Sequence, residues 1–206
     1  MAYILGFFAA DGYITVNKRG GQFWCVQITD EELLLKIKMA IGSGHKISVR
    51  KGKGNNKTLY RLQIGSIEMC NDLRALGYDE NKTKSLAIPH VPKKYFSDFV
   101  RGYFDGDGNV WMGFIHKRSK KPKRMLQTMF TSCSHSFLSH LCLTIRSFGI
   151  RGGSIYKSKN NYSRLQFGAH DSLKLYDFMY NNHILKNRLF LQRKRIVFEK
   201  YKSLRA

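Results

Sequence analysis

The chain contains one arrangement twice. ILGFFAADG at residues 4–12 returns as VRGYFDGDG at 100–108, with Gly6 aligned to Gly102, Asp11 to Asp107 and Gly12 to Gly108. A second pair follows the first in the same order, RLQIG at 61–65 and RLQFG at 164–168. A repeat of about 100 residues is too long for a solenoid unit and suits a duplicated domain with pseudo-twofold symmetry. The fold therefore has to be one that each half nearly completes.

Between each acidic segment and its RLQ segment the same succession of patterns appears. In the first half YITV (13–16) and QFWCVQI (22–28) alternate apolar and polar residues, DEELLLKIKMAIG has a helical period, and HKISVRKGKGNNKTLYRLQIG reads as a hairpin. The second half follows with NVWMGFIHK and MLQTMFTS, then SFLSHLCLTIRSFG, then GSIYKSKNNYSRLQFG. Each half is predicted to run helix, two strands, helix, two strands, helix, an α+β organisation written αββαββα. The half-domains are expected at 1–88 and 96–206, joined by a linker at 89–95 that contains Pro89 and Pro92.

At 206 residues, 43% apolar and 13% aromatic, the chain has the composition of a globular protein. Thirty-six Lys and Arg against fourteen Asp and Glu leave a formal charge of +22, a surplus that opposes compaction and marks a polyanionic partner, nucleic acid first. Apolar stretches are interrupted by charge well short of the ~18 residues of a membrane span, and the start lacks the layout of a secretory signal. The basic residues lie in short loops rather than on one amphipathic helix, which disfavours a membrane-surface role. Cys25, Cys70, Cys133 and Cys142 form no CxxC pair and are read as reduced thiols, so an intracellular setting is expected, in cytoplasm, nucleoid or an organelle. Cys133, His135, His140 and Cys142 fall within ten residues, but their order fits no common structural zinc spacing.

The position of the positive charge is more informative than its amount. NKRGG (17–21), RKGKGNNK (50–57), HKRSKKPKR (116–124) and KSKNN (157–161) sit at the tips of all four predicted hairpins. Two-stranded ribbons fit the DNA major groove, where side chains reach base edges while Lys and Arg meet phosphates. Candidate DNA contacts in the first half are Asn17, Lys18, Arg19, Gln22, Gln27, Arg50, Lys51, Lys53, Lys57, Arg61 and Gln63. Those in the second half are Lys117, Arg118, Lys120, Lys121, Lys123, Arg124, Gln127, Lys157, Lys159, Arg164 and Gln166. Strand register decides which of them face the groove, because a slip of one residue reverses every side chain.

In the two acidic segments Gly6, Ala10, Gly102 and Gly106 recur at four-residue spacing, stripping one face of each helix so that two backbones can approach through Gly6 and Gly102. Gly12 and Gly108 suit the left-handed position that ends a helix, which places Asp11 and Asp107 at the carboxyl ends. That end is unfavourable for an anion, by about 0.3–1 kcal/mol. If symmetry brings both carboxylates together at about 5 Å, their repulsion at an effective dielectric of about 20 is on the order of 3 kcal/mol. A shared divalent cation removes the penalty, and Mg²⁺ keeps waters and accepts phosphate oxygens. DGDGNV also resembles the start of a calcium loop, but Val110 and His116 stand where that loop wants Gly and Glu.

These residues together carry a resemblance to the two-repeat, monomeric LAGLIDADG homing endonucleases, with ILGFFAADG and VRGYFDGDG as the paired signature helices. The resemblance spans the chain and implies two antiparallel sheets forming a saddle over a long double-stranded DNA site, pseudo-palindromic or asymmetric. It implies site-specific cutting across the minor groove with 3′ overhangs, and Mg²⁺ as cofactor, with Mn²⁺ or Ca²⁺ substituting and Ca²⁺ without cleavage. Asp11 and Asp107 occupy the metal-binding positions, and the carbonyls of Ala10 and Gly106 could complete the shells. The earlier acidic position of the motif is Ala9 in one repeat and Asp105 in the other. Family members add a basic residue near each scissile phosphate: NKTKS offers Lys82 ahead of Lys84, and LQRKR offers Lys194 with Arg193 beside it. A polar residue after the second strand is left open between Gln27, Thr29 and Ser132.

Two other classes stay open on the same scaffold, an RNA-binding maturase that assists intron splicing and a DNA-binding regulator without catalysis. Retention of both Asp11 and Asp107 favours cutting. An intein is disfavoured because MAYIL and SLRA lack splice-junction nucleophiles.

Overall fold

The computed structural model describes residues 1–205 apart from 53, 55, 56, 116–121, 159, 160 and 182–188. The chain divides into two compact units, Met1–Gly106 and Asp107–Ala206. Lys53, Lys117, Arg118, Lys120, Lys121 and Lys159 lie outside the described residues.

The first unit begins with helix α1 (Ala2–Asp11), followed by strands β1 (Gly12–Val16) and β2 (Gln22–Ile28), α2 (Glu31–Ala40), β3 (Ile47–Arg50), β4 (Leu59–Gly65), α3 (Ile67–Ala75) and the short α4 (Lys82–Ser85). Its four strands form one antiparallel sheet ordered β1-β2-β4-β3. Polar residues start the helices: Asp30 accepts from Leu33 N at 2.9 Å ahead of α2, and Ser66 accepts from Met69 N at 3.1 Å ahead of α3. Gly42 and Gly77, at φ +64° and +87°, follow the ends of those helices in the left-handed conformation.

α1 is apolar all round and is accordingly buried, with Phe8 stacked on Trp24 of β2 at 5.8 Å and tilted against Tyr78 at 5.9 Å. Its partner is α5 (Phe96–Asp107), of which all but the last residue belong to this unit. A Cβ on Gly6 would stand 2.0 Å from Phe99 O, and one on Gly102 would stand 2.0 Å from Tyr3 O. Main chain therefore touches main chain at two reciprocal points. That contact is why α5 groups with the first unit, whereas its place in the sequence repeat, after the 89–95 linker, assigns it to the second half.

The second unit continues with β5 (Gly108–Ile115), β6 (Lys123–Ser132), α6 (His135–Ser147), β7 (Ser154–Lys157), β8 (Ser163–Phe167), α7 (Ala169–Tyr180) and α8 (Gln192–Ser203). Its sheet is ordered β5-β6-β8-β7 and is again antiparallel. Ser134 caps α6 by accepting from Phe137 N at 3.3 Å. Leu126, Phe130, Leu165 and Phe167 are fully buried on one sheet face with Phe137, Leu138 and Leu141 of α6. Phe198 of α8 packs on Tyr176 of α7 at 5.5 Å. The duplicated αββαββα order is thus present, with α4 and α8 added after the repeat in each half.

Candidate functional site

Asp11 is the last residue of α1 and is exposed; Asp107 is the last residue of α5 and is half-buried. Each helix passes directly into a strand. Gly12 has φ −82° and ψ 157°, and Gly108 pairs with Phe130 as the first residue of β5, so neither takes the left-handed cap conformation expected of it. The reason for glycine at position 12 is steric instead, since a Cβ there would lie 2.0 Å from the ring of Phe8. With helix and strand abutting, the segment 105–109 leaves no loop of the calcium-binding kind.

Within the first unit the Asp11 carboxylate is held at the end of α5. Oδ2 lies 3.2 Å from the Cβ position of Gly106, and the Ala10 methyl fills the rest of that space at 2.3 Å. Asp105 points elsewhere: it is 2% exposed and accepts from Tyr3 Oη at 2.7 Å. Arg101, equally buried, donates to Asp98 at 2.7 Å and covers the Tyr3 ring at 5.3 Å.

Both lysines singled out in the sequence are buried, Lys82 at 7% and Lys194 at 6% exposure, whereas Lys84 and Arg193 are exposed. Lys82 Nζ donates to Ala9 O at 3.1 Å, and Lys194 Nζ donates to Gly108 O at 2.6 Å. In each unit a buried ammonium thus rests on the main chain at the helix-to-strand junction that carries the motif aspartate. Lys82 is on α4 and Lys194 on α8.

The open sheet faces are identified by the registers. In the first unit Ile14, Trp24, Val26, Leu62 and Ile64 are buried on the helix side, so Gln27, Arg61, Gln63, Ser48 and Arg50 share the other face. Gln22 has the parity of the buried set and accepts from Arg74 of α3 at 2.7 Å, which removes it from the open face. Arg74 also donates to Glu80, a contact that holds the Glu80 carboxyl below its ordinary range. Asn17 serves its own turn, its Oδ1 accepting from Arg19 N and Gly21 N at 2.9 and 2.8 Å. Lys18, Arg19, Lys51 and Lys57 are exposed around the hairpin ends.

In the second unit Gln127, Gln166, Arg164 and Lys123 lie on the open face. Arg124 and Lys157 have the parity of the core side, and Arg124 instead covers the Phe114 ring at 5.1 Å. Ser132 is buried and accepts from Ser134 N at 3.1 Å, while Thr29 is exposed beyond the end of β2. Trp111, Met125, Met129 and Tyr156 share the open face too. The unbroken apolar run Val110-Trp111-Met112 hides this in the sequence; the burial of Val110 and the period of two along β5 place Trp111 there.

The Cys/His segment forms no common site: Cys133 is exposed, Cys142 is buried, and the His135 ring bonds Ser163 Oγ at 3.2 Å. Burial pushes the thiols of Cys25, Cys70 and Cys142 up. Among the described residues no group of three or more His, Cys, Asp or Glu comes together, so any cation here would take at most a pair of carboxylates with carbonyls and water. No described helix is long and apolar enough to cross a membrane. A cavity of about 660 Å³ in the first unit, lined by Phe8, Trp24, Met69, Leu73 and Pro92 among others, is apolar and contains neither Asp11 nor Lys82.

Comparison with known proteins agrees with this architecture. Residues 1–73 match the model of the LAGLIDADG-like domain. Two curated relatives, each named probable translation initiation factor IF-2, match in part. The Thermococcus kodakarensis protein is 35% identical over 127 residues, covering 58% of this chain. The Methanocaldococcus jannaschii protein is 27% identical over 140 residues, covering 65%. The matched segments make up 10% and 11% of those proteins. Among solved structures, the meganuclease I-SmaMI bound to uncleaveable DNA superposes with a TM-score of 0.64 at 15% identity, covering 98% of this chain and 87% of that one. The LAGLIDADG meganuclease I-AabMI bound to uncleaved DNA gives 0.62 at 15%, covering 98% and 88%. I-SmaMI on an uncleaved target with calcium ions gives 0.54 at 14%, covering 86% and 84%. Residues 1–73 thus match a LAGLIDADG-like domain, and the chain as a whole carries the fold of the LAGLIDADG meganucleases.

Proposed function

We propose that the chain is a site-specific double-strand DNA endonuclease of the homing type, acting as a monomer. Asp11 and Asp107 would hold Mg²⁺, and hydrolysis would run across the minor groove to leave 3′ overhangs. The observation that carries this reading is the matched pair of junctions: a motif aspartate at a helix end and a buried lysine on the adjoining main chain, once in each unit. The DNA-bound meganucleases of the same fold support the substrate class.

The donors suit a hard cation. Asp11 is an exposed carboxylate at the negative end of a helix dipole, its Oδ2 lies beside Gly106 of α5, and Mg²⁺ is bound by one or two carboxylates plus waters and phosphate. When bound, the ion would supply Lewis-acid polarisation of the scissile phosphate and lower the pKa of an attacking water. The remaining work falls to the protein. Asp11 and Asp107, with the carbonyls of Ala10 and Gly106, fix where the positive charge sits. Lys82 and Lys194 hold charge against the anion that grows in the transition state. The open sheet faces, with Gln27, Arg61 and Gln63 in one unit and Gln127, Arg164 and Gln166 in the other, supply base recognition.

Asp107→Asn, and separately Asp11→Asn, is expected to abolish nicking of a selected duplex in Mg²⁺ while affinity is kept or raised. Continued cutting by either variant refutes the assignment. Wild-type protein that binds duplex tightly in Mg²⁺ without cutting would identify a regulator, and preference for structured RNA a maturase.

A further inference from the structure

The open face of the second unit differs in chemistry from that of the first. Trp111 pairs with Gln127 across β5 and β6, and the next row on the same face sets Asn109, Met129 and Gln166 side by side. The residues between them, Leu126, Thr128 and Phe130, are fully buried on the opposite side. Trp111 is 38% exposed, and its indole is laid along the strand over Gly113, where a Cβ would meet it at 2.3 Å. The glycine makes room for a ring fixed flat on the edge strand of this face.

Guanine is read by the bidentate donors of Arg or Lys. Among the described residues Arg164 is the guanidinium of this face, but it donates to Tyr162 Oη at 2.7 Å and lies over that ring at 5.1 Å, directed along its own strand. Lys123 is at the far end of β6, paired with Ile115. The central rows therefore offer Gln, which pairs with adenine, and large apolar groups, which suit the thymine methyl. In the first unit the row matching Asn109, Met129 and Gln166 is Tyr13, Cys25 and Gln63, and the counterpart of Arg164 is Arg61, which is exposed beside Gln27.

We infer that the second unit reads a half-site rich in A·T pairs, with Trp111 and Met129 contacting thymine methyl groups and Gln127 and Gln166 pairing with adenine. This rests on the endonuclease reading and specifies its substrate.

The test replaces thymine by uracil, which deletes the methyl and leaves pairing intact, at every T of a duplex selected by the full-length chain from a randomised pool. Affinity at fixed salt is expected to fall about fourfold for each contacted methyl, the equivalent of one buried methylene, in one half-site and to change little in the other. In Trp111→Ser and Met129→Ser the thymine-to-uracil ratio is expected to fall to about one at the matching positions, because affinity for the thymine duplex drops towards that for the uracil one. Equal sensitivity in both halves, no sensitivity in either, G·C-rich selected sites, or discrimination that survives both substitutions overturns the inference. The DNA-side replacement decides the matter even if a variant fails to fold. Recovery of no duplex at all overturns the endonuclease reading as well, so the two failures are distinct.

Discussion

A lysine at 6–7% exposure is expensive, because desolvating an ammonium costs several kcal/mol unless polar atoms receive it. Lys82 and Lys194 are received by Ala9 O and Gly108 O, partners 73 and 86 residues away. Such placement buys nothing in stability that an apolar side chain of equal length would not provide. Lys82→Met is accordingly expected to leave the thermal midpoint unchanged or raise it. Cleavage should slow by about 10²–10³, the loss typical of one transition-state charge donor. Assays of melting and of nicking on the same preparation check both signs, and full-rate cutting would relegate Lys82 to structure. The residue types were legible from NKTKS and LQRKR, but their receivers were not, since a main-chain carbonyl leaves no trace in sequence. Gly12 makes the complementary point: its identity suggested a backbone conformation, and the cause is the ring of Phe8 one turn earlier.

At the level of elements, α1 and α5 tolerate no side chain at their crossing. An added methyl 2.0 Å from a carbonyl oxygen has no flexible neighbour to displace, so the helices themselves must separate. Overpacking usually costs about 1–3 kcal/mol. Gly6→Ala and Gly102→Ala are expected at or above the top of that range, a large share of the roughly 5–15 kcal/mol that holds a domain together. Gly44→Ala, with open space around it, is the control and should stay within about 0.5 kcal/mol. Chemical denaturation of the three variants measures the difference, and a mild effect at Gly6 would mean that the crossing is looser than its geometry. The four-residue spacing of small residues announced this helix pair. What it could not announce was that contact between main chains would draw α5 into the first compact unit. Strand boundaries followed from alternation, yet Gln22 needed the observed register, because at the end of a strand parity alone does not say that Arg74 will claim it.

For the molecule as a whole the governing quantity is charge, and its two consequences have opposite salt dependence. A formal charge of +22 repels itself in the free protein, so screening should stabilise the fold. The same charge attracts phosphates, and each one neutralised steepens the fall of log affinity with log salt by about 0.9. Raising KCl from 50 to 200 mM should therefore increase the melting midpoint while reducing DNA affinity by about 10³–10⁵ if six to ten phosphates are engaged. The hairpin ends can be apportioned in the same experiment. Lys18→Gln with Arg19→Gln should flatten the slope by up to about 2 and weaken all sequences alike, whereas Gln63→Ala should leave the slope in place and relax preference at single positions. Fluorescence anisotropy across a salt series reads both effects. A wild-type slope shallower than about −3 would be incompatible with a long duplex bound along both sheets, whatever the chemistry at Asp11 and Asp107.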